Sequence, residues 1–327
     1  MSAIDVHHHI FPAALPKAAL SRAVGFRTPP AHLPWSPALS LRAMDALGVE
    51  LAVLSVPTGH FPDDVRALND QMRAACVQHP GRFAFWGCAG DLRDTKGALD
   101  LIAYALDDLG AVGIAVSSVY GEANDAKYLG DDVFDPIWEE LDRRDAVVFL
   151  HGAQTPSSTP FPSDLLGIPI TEVPNETFKA IAHLVVAGKT TRFPRLAFVL
   201  AHMGGTALAL APRLAGLARY MGAALDETHI LRELRRACWW DTALSAGPGP
   251  LAAAEAWGVG ARVVWGSDFP AVPLETIQWF EAGLRAFYAP KDGAGDDARL
   301  RGIYREHVLE LFASRGIDLF ALAPAAK

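Results

Sequence analysis

The sequence predicts an α/β fold in which eight parallel strands alternate with helices and close into a (β/α)8 TIM barrel. Eight short runs rich in apolar residues recur along the chain, and helical segments separate them. The runs are apolar at nearly every position, which is typical of parallel strands that are covered on both faces. Eight such units over about 300 residues fit the size of a closed barrel. An open doubly wound sheet is the structural alternative, but no glycine-rich fingerprint follows the first strand.

The first predicted strand spans residues 4–9 and ends in three consecutive histidines. Because side chains at positions i and i+2 share one face of a strand, His7 and His9 are expected to point together and His8 to point away. A purification-tag remnant is the uninformative alternative. The apolar pattern that continues through Ile10 and Phe11 argues against it.

A segment rich in proline, residues 12–37, follows this strand and is too long for a plain connection. We expect it to be an insertion that covers a site. Ser36 or Ser40 can cap the helix that comes next, and Gly48 stops it after Leu47.

The remaining elements repeat the same strand-and-helix unit within one domain, residues 1–327. The predicted strands are 50–56, 83–88, 111–117, 146–151, 196–202, 237–242 and 262–268. The predicted helices are 63–79, 95–109, 133–143, 175–187, 207–222, 227–236, 250–257 and 274–288, with a C-terminal helix at 297–313.

The composition limits the class of protein. A net charge of −8, a pI near 5.7 and the lack of a basic cluster argue against nucleic acid as a partner. Mean hydropathy is +0.17, yet no apolar run is long enough to span a bilayer, and no signal segment opens the chain. Three separated cysteines (Cys76, Cys88 and Cys238) indicate buried thiols in a reducing compartment. We therefore expect a cytoplasmic protein.

Residues that bind metals or transfer protons stand at the ends of four predicted strands. They are His7 and His9 on the first, His151 on the fifth, His202 on the sixth and Asp268 on the eighth. In a barrel, side chains at the carboxyl ends of strands converge on one face, which predicts a common site. Asp5 is expected on the face of His7 and His9, one layer deeper. There it either orients a ligand imidazole or is simply a buried hydrogen-bonding residue.

These motifs resemble those of the amidohydrolase superfamily, in the amidohydrolase-2 branch that contains aminocarboxymuconate-semialdehyde decarboxylase. The matching residues are Asp5-Val-His7-His-His9, Leu150-His151-Gly152, Ala201-His202-Met-Gly-Gly205 and Trp265-Gly-Ser-Asp268-Phe-Pro270. Trp35-Ser-Pro37, Pro174-Asn-Glu-Thr-Phe178 and Asp241-Thr-Ala-Leu-Ser245 look most like the 6-methylsalicylate decarboxylase group.

The resemblance implies that His7, His9, His151 and Asp268 bind one divalent metal ion and that His202 is the acid or base beside it. Zinc is the first expectation, because the strand keeps His-x-His where manganese decarboxylases often carry Glu-x-His; manganese is the alternative. Neutral imidazoles and a carboxylate suit either metal. Either Asp268 or His202 can supply the proton of a decarboxylation.

The resemblance also bears on substrate contacts and on assembly. Ser40 stands where the related enzymes for dicarboxylates carry an arginine, which favours a monocarboxylate such as a salicylate. Arg213 matches an arginine that reaches the neighbouring subunit's site, which implies a homodimer or homotetramer; a surface arginine is the alternative. Phe269 and Trp35 are candidate substrate contacts, as more weakly are Phe161, Trp239 and Trp240, although core packing explains these aromatic residues equally well.

The resulting hypothesis is a metal-dependent, non-oxidative decarboxylase of a hydroxybenzoate-like aromatic carboxylic acid. A hydrolase that opens a lactone, or cleaves an ester or amide, with metal-bound hydroxide is the alternative, because the metal site alone does not separate the two reactions. The non-enzymatic alternative is a barrel that binds metal but has no activity.

Overall fold

The computed structural model describes residues 2–13, 15–56, 64–154, 163, 165–289 and 298–321. The candidate contact Phe161 lies outside these residues. Eight strands form one sheet: β1 (Ala3–His9), β2 (Val49–Ser55), β3 (Phe83–Cys88), β4 (Gly113–Ser117), β5 (Val147–His151), β6 (Ala197–Leu200), β7 (Cys238–Asp241) and β8 (Val263–Val264).

All neighbouring strands in the order β1 to β8 pair in parallel. The chain after β8 brings the sheet back to β1. The amide of Val6 donates to Trp265 O at 3.1 Å, that of Asp268 to His7 O at 2.9 Å and that of His9 to Phe269 O at 2.7 Å. The predicted (β/α)8 barrel is confirmed.

Helices surround the barrel, and most begin and end where the sequence predicts. They are α1 (Lys17–Ala23), α2 (Pro37–Leu47), α3 (Val65–Gln78), α4 (Thr95–Ala103), α5 (Asp135–Arg143), α6 (Ile168–Thr171), α7 (Val173–Val186), α8 (Lys189–Arg192), α9 (Ala207–Tyr220), α10 (Glu227–Ala237), α11 (Pro248–Ala256), α12 (Leu274–Tyr288), α13 (Ala298–Arg301) and α14 (His307–Ala313). One turn of π-helix, Gly302–Glu306, joins the last two. No helix among the described residues is long and apolar enough to cross a membrane.

Two layers of apolar side chains hold the barrel together. Inside it, Trp86 stacks on Phe149 with ring centroids 5.5 Å apart, and Phe312 of α14 packs against Trp86 from below. A larger cluster fills the space between strands and helices. With the bottom of the barrel closed by side chains, the open end is the one at the carboxyl ends of the strands.

Three local differences from the sequence-based prediction affect the site. β6 ends at Leu200, not at His202, because His202 and Met203 adopt left-handed backbone angles. β8 covers only Val263–Val264, and the residues up to Phe269 reach β1 through separate hydrogen bonds. The segment 12–37 contains the short helix α1, which the sequence did not predict.

Candidate metal centre and cavity

Five buried side chains meet at the carboxyl end of the barrel: His7, His9, His151, His202 and Asp268. The ring centroid of His7 lies 4.8 Å from that of His9, 5.1 Å from that of His151 and 4.9 Å from that of His202. Oδ1 of Asp268 lies 3.5 Å from Nε2 of His7 and 3.2 Å from Nε2 of His9. The structure therefore brings together all five residues that the sequence placed at strand ends.

The Nδ1 atom of each of the four histidines has a hydrogen-bond partner outside this cluster. His7 Nδ1 lies 2.8 Å from Asp241 Oδ2, and His9 Nδ1 lies 2.8 Å from Ser55 Oγ. His151 Nδ1 contacts Gly152 O at 2.8 Å, and His202 Nδ1 contacts Ala243 O at 2.9 Å. These contacts fix the orientation of the rings and favour the tautomer with the proton on Nδ1, as outer partners of metal-binding histidines do.

The electrostatics of the cluster favour neutral imidazoles at His7 and His151 beside a charged carboxylate at Asp268. Burial lowers the pKa of His7 and of His151 well below the usual range of histidine. Burial alone would raise the pKa of Asp268, but a hydrogen bond with His9 and the nearby His7 and His202 hold that pKa far below its ordinary value. A neutral imidazole has a lone pair to offer, and an ionised carboxylate is a good ligand for a divalent cation.

The donor set fits a divalent metal ion. Ligand atoms of His7, His9 and His151 lie within 4.8 Å of one another, and so do those of His7, His202 and Asp268. Three imidazole nitrogens and a carboxylate oxygen suit zinc or manganese in protein sites. His7 belongs to both groups, so the two groups together comprise five candidate ligands.

His202 and Asp268 both hold backbone angles that ordinary side chains seldom adopt. Their φ values are 57° and 61°, in the left-handed region. Asp241 stabilises the backbone conformation of His202, because its Oδ1 accepts a hydrogen bond from the His202 amide at 2.9 Å. Uncommon backbone angles at two neighbouring groups are typical of sites where side-chain direction matters.

Asp5 lies elsewhere than predicted. The register between β1 and β2 shifts between Asp5 and His8, so simple alternation along the strand fails there. Asp5 Oδ2 lies 3.0 Å from His8 Nδ1 and accepts from Ser267 Oγ at 2.5 Å, and Asp5 Oδ1 accepts the amides of His7 and Ser267. It is thus the buried hydrogen-bonding residue of the second interpretation and orients no ligand ring.

Asp241 is the carboxylate that the sequence reasoning missed. It is fully buried at the end of β7 and contacts both His7 and His202. The position of Asp241 at a strand end could have identified it from the sequence, because the same criterion selected His151 and Asp268. The sequence reasoning treated the stretch from Asp241 to Ser245 only as a mark of resemblance.

A cavity of about 330 Å³ opens onto the cluster. Its walls are mostly apolar, with His9, His151, His202 and Asp268 at one place and the polar groups of Lys17, Gln154, Ser245 and Thr276 at others. The other lining residues are Phe11, Phe26, Pro169, Ile170, Val173, Pro174, Leu244, Ala271, Val272 and Phe280. Such a size and lining are typical of a site for a small organic ligand.

Four of the predicted aromatic contacts, Trp35, Trp239, Trp240 and Phe269, are not among the described residues that line this cavity. Trp35 is buried and donates from Nε1 to Ser40 Oγ at 2.9 Å. Phe269 is buried against the rings of His8 and His32, at 5.2 and 4.8 Å. Trp239 and Trp240 are buried in the core. These placements agree with core packing, the alternative given for the four residues, and Phe11, Phe26 and Phe280 are the aromatic side chains on the described wall.

Arg213 lies on an exposed part of α9 and is also absent from the described lining. Ser40 does not act as a substrate contact in place of the arginine that the related enzymes carry at this position. It is buried in α2 and joins His8 Nε2, at 2.8 Å, to the indole of Trp35. The interpretation of His8 as a structural residue that faces away from the pair agrees with these contacts.

Comparisons with known proteins agree with this geometry. The family model described as Amidohydrolase matches residues 4–306. The chain belongs to the amidohydrolase family. This amidohydrolase is 33% identical over 302 residues to the 6-methylsalicylic acid decarboxylase of Penicillium expansum, covering 89% of this chain and 92% of that protein. It is also 33% identical over 324 residues to a 6-methylsalicylic acid decarboxylase of Aspergillus aculeatus, covering 94% and 95% of the two chains.

Among solved structures, the amidohydrolase is similar to a dihydroxybenzoic acid decarboxylase from Polaromonas, which was crystallised with manganese and the inhibitor 2-nitroresorcinol. The TM-score is 0.75 at 19% identity, over 95% of this chain and 97% of that one. At this identity the likeness supports the shared fold. The family recognised from the motifs is confirmed.

Proposed function

We propose that this protein is a metal-dependent carboxy-lyase that removes carbon dioxide, without oxidation, from a hydroxybenzoate-like aromatic acid of the 6-methylsalicylate type. The observation that carries the proposal is the position of the histidine and aspartate cluster at the wall of a mostly apolar cavity. The names of the two fungal relatives support the reaction class and the substrate class.

His7, His9, His151 and Asp268 would hold one divalent ion. When bound, this ion would supply Lewis acidity toward the oxygen atoms of an aromatic acid. The hydrogen bonds of the Nδ1 atoms keep the three rings in place: His7 Nδ1 bonds to Asp241, His9 Nδ1 to Ser55 and His151 Nδ1 to the carbonyl oxygen of Gly152. We propose zinc as the resident metal, because β1 carries His-x-His; the manganese in the Polaromonas structure supports the alternative.

His202 would move the proton that the reaction needs. In decarboxylation, the ring carbon that bears the carboxylate takes up a proton, the bond to the carboxylate breaks, and its electron pair restores the aromatic ring. Because His202 Nδ1 is engaged with Ala243 O, the proton must pass through Nε2. Asp268 is the second candidate for this step, since it lies in the same wall of the cavity.

The cavity would bind the substrate ring between apolar walls. A volume of about 330 Å³ holds one substituted benzene ring with room for solvent. The apolar walls favour loss of carbon dioxide, because the negative charge of the carboxylate disappears during the reaction.

Assembly and location are part of the same proposal. We propose a single domain over residues 1–327 in which the segment 12–37 covers the site; Lys17 and Phe26 of that segment line the cavity. We also propose a homodimer or homotetramer in which the exposed Arg213 reaches a neighbouring site, and a cytoplasmic location, which the three buried free cysteines support. Sedimentation velocity tests the assembly.

The test of the function is a turnover screen on protein of measured metal content. Protein loaded with zinc or manganese is incubated with 6-methylsalicylate, other hydroxybenzoates and a set of lactones, esters and amides. The proposal expects release of carbon dioxide from at least one hydroxybenzoate. Acid production from a lactone, ester or amide without any carbon dioxide would establish the hydrolase instead.

A further inference from the structure

Lys17 is a buried cation in the wall of the cavity. It is the first residue of α1, within the segment 12–37, and only 7% of its surface is exposed. It lines the same cavity as His9 and Asp268. Its function is not explained by the metal centre, because an ammonium group has no lone pair to offer a metal.

No hydrogen bond or ion pair joins the Lys17 ammonium to another residue in the described part of the chain. Its contact is with the ring of Phe11, whose centroid lies 4.8 Å from Nζ. Lys189 is a useful comparison, since it is just as buried but forms ion pairs with Asp132 and Asp135. Buried lysines are nearly always paired in this way.

Burial lowers the pKa of Lys17, and the charge of Asp268 works against that shift. An anion bound in the cavity would raise the pKa of Lys17, as the charge of Asp268 does. In a site with few competing waters, a hydrogen bond between an ammonium and an anionic oxygen is stronger than one between neutral groups.

We propose that Lys17 binds an anionic oxygen of the aromatic acid in this cavity and so selects for charged aromatic ligands. The inference rests on the proposed function for the identity of the ligand. The oxygen belongs either to the carboxylate or to an ionised phenol, and these share the chemistry that an ammonium recognises. Lys17 is thereby a substrate-binding residue whose chemistry differs from that of the metal ligands. Its ammonium group contributes a positive charge, whereas the metal ligands contribute lone pairs.

The experiment measures binding, not turnover. Calorimetry gives the dissociation constants of three probes for metal-loaded protein: 2-methylbenzoate, whose only ionised group is the carboxylate, 3-methyl-2-nitrophenol, whose only ionisable group is an acidic phenol, and the neutral ether 3-methylanisole. The variants are Lys17→Met, which keeps the length of the side chain, and Lys17→Arg, which keeps the charge. Lys96→Met, at an exposed lysine of α4, is the control for loss of one positive charge.

Lys17→Met is expected to weaken binding of at least one anionic probe roughly 10- to 100-fold and to leave binding of the ether within about twofold. Which anion is affected identifies the oxygen. Lys17→Arg is expected to retain most of the affinity, and Lys96→Met all of it. If Lys17→Met fails to fold, Lys17→Gln is measured in its place.

Unchanged affinity for both anions, equal loss for anions and ether, or a wild-type protein that binds neither anion would overturn the inference. The two proposals fail separately. A protein that binds anions through Lys17 but releases no carbon dioxide refutes the proposed function alone, whereas an active decarboxylase with normal anion binding in Lys17→Met refutes only the role of Lys17.

Discussion

Asp241 Oδ2 lies 2.8 Å from Nδ1 of His7, while the other oxygen of the same carboxylate accepts the backbone amide of His202 at 2.9 Å. One buried carboxylate at the end of β7 thus orients a residue from β1 and a residue that follows β6. The proposed metal ligand and the proposed proton carrier are held relative to each other through Asp241.

Replacing Asp241 with asparagine should weaken metal binding. The variant replaces the carboxylate oxygen next to the His7 ring with an amide, and loss of such outer partners typically costs about 10- to 100-fold in metal affinity. Competition with a metal-binding dye measures the change. Glu176→Gln is a matched control, because Glu176 is a buried carboxylate that bonds to Tyr128 and Ser118 away from the described cavity lining. Equal metal affinity in Asp241→Asn and wild type would argue against the orienting role.

Replacing His202 with alanine should separate metal content from turnover. If His202 carries the proton, the variant keeps its metal and loses roughly 10²- to 10⁴-fold in kcat, the usual contribution of a general acid or base. Elemental analysis and initial rates on the same sample provide the two numbers. His229→Ala, on α10, serves as the control. Loss of the metal together with activity would make His202 a ligand instead.

The neighbours His8 and His9 should behave differently when each is replaced by alanine. His9→Ala removes a proposed ligand and is expected to lower metal content. His8→Ala removes one hydrogen-bond partner each from the buried Asp5 and Ser40, which costs roughly 1–3 kcal/mol and lowers Tm by several degrees, with metal content kept. Calorimetric unfolding and elemental analysis distinguish the outcomes. Metal loss in His8→Ala with little change in His9→Ala would reverse the assignment of faces on β1.

Removal of the metal should lower both activity and thermal stability. An ion that binds only the folded chain adds about 2.7 kcal/mol to the free energy of unfolding when its free concentration is 100 times its Kd. Dialysis against a chelator, followed by a thermal scan and a rate measurement, tests this, and zinc or manganese is then added back. Full activity in protein that elemental analysis finds metal-free would contradict the account.

Much of the barrel was predictable because its signals are local. Apolar strands such as Phe83–Cys88 and caps such as Ser36 and Gly48 lie where the sequence indicates. The rule that strand ends converge also predicted the five-residue cluster. This rule depends only on the topology of the barrel, and the repeated strand-and-helix units predicted that topology.

The errors arose where tertiary contacts override local pattern. The register shift between Asp5 and His8 cannot be read from alternation, because it depends on how β1 pairs with β2. The sequence left Trp35 open between substrate contact and core packing, and only the folded chain shows that its indole donates to Ser40. Lys17 went unremarked in a segment predicted as loop, since only the folded chain shows that α1 turns it into the cavity.

The central claim is that the cluster protonates a ring carbon and releases carbon dioxide, and the most direct test is turnover of 6-methylsalicylate in deuterium oxide. We expect equal amounts of carbon dioxide and 3-methylphenol, with one deuterium at the carbon that carried the carboxylate. Unchanged 6-methylsalicylate in the presence of metal-loaded protein that hydrolyses a lactone, ester or amide would contradict it.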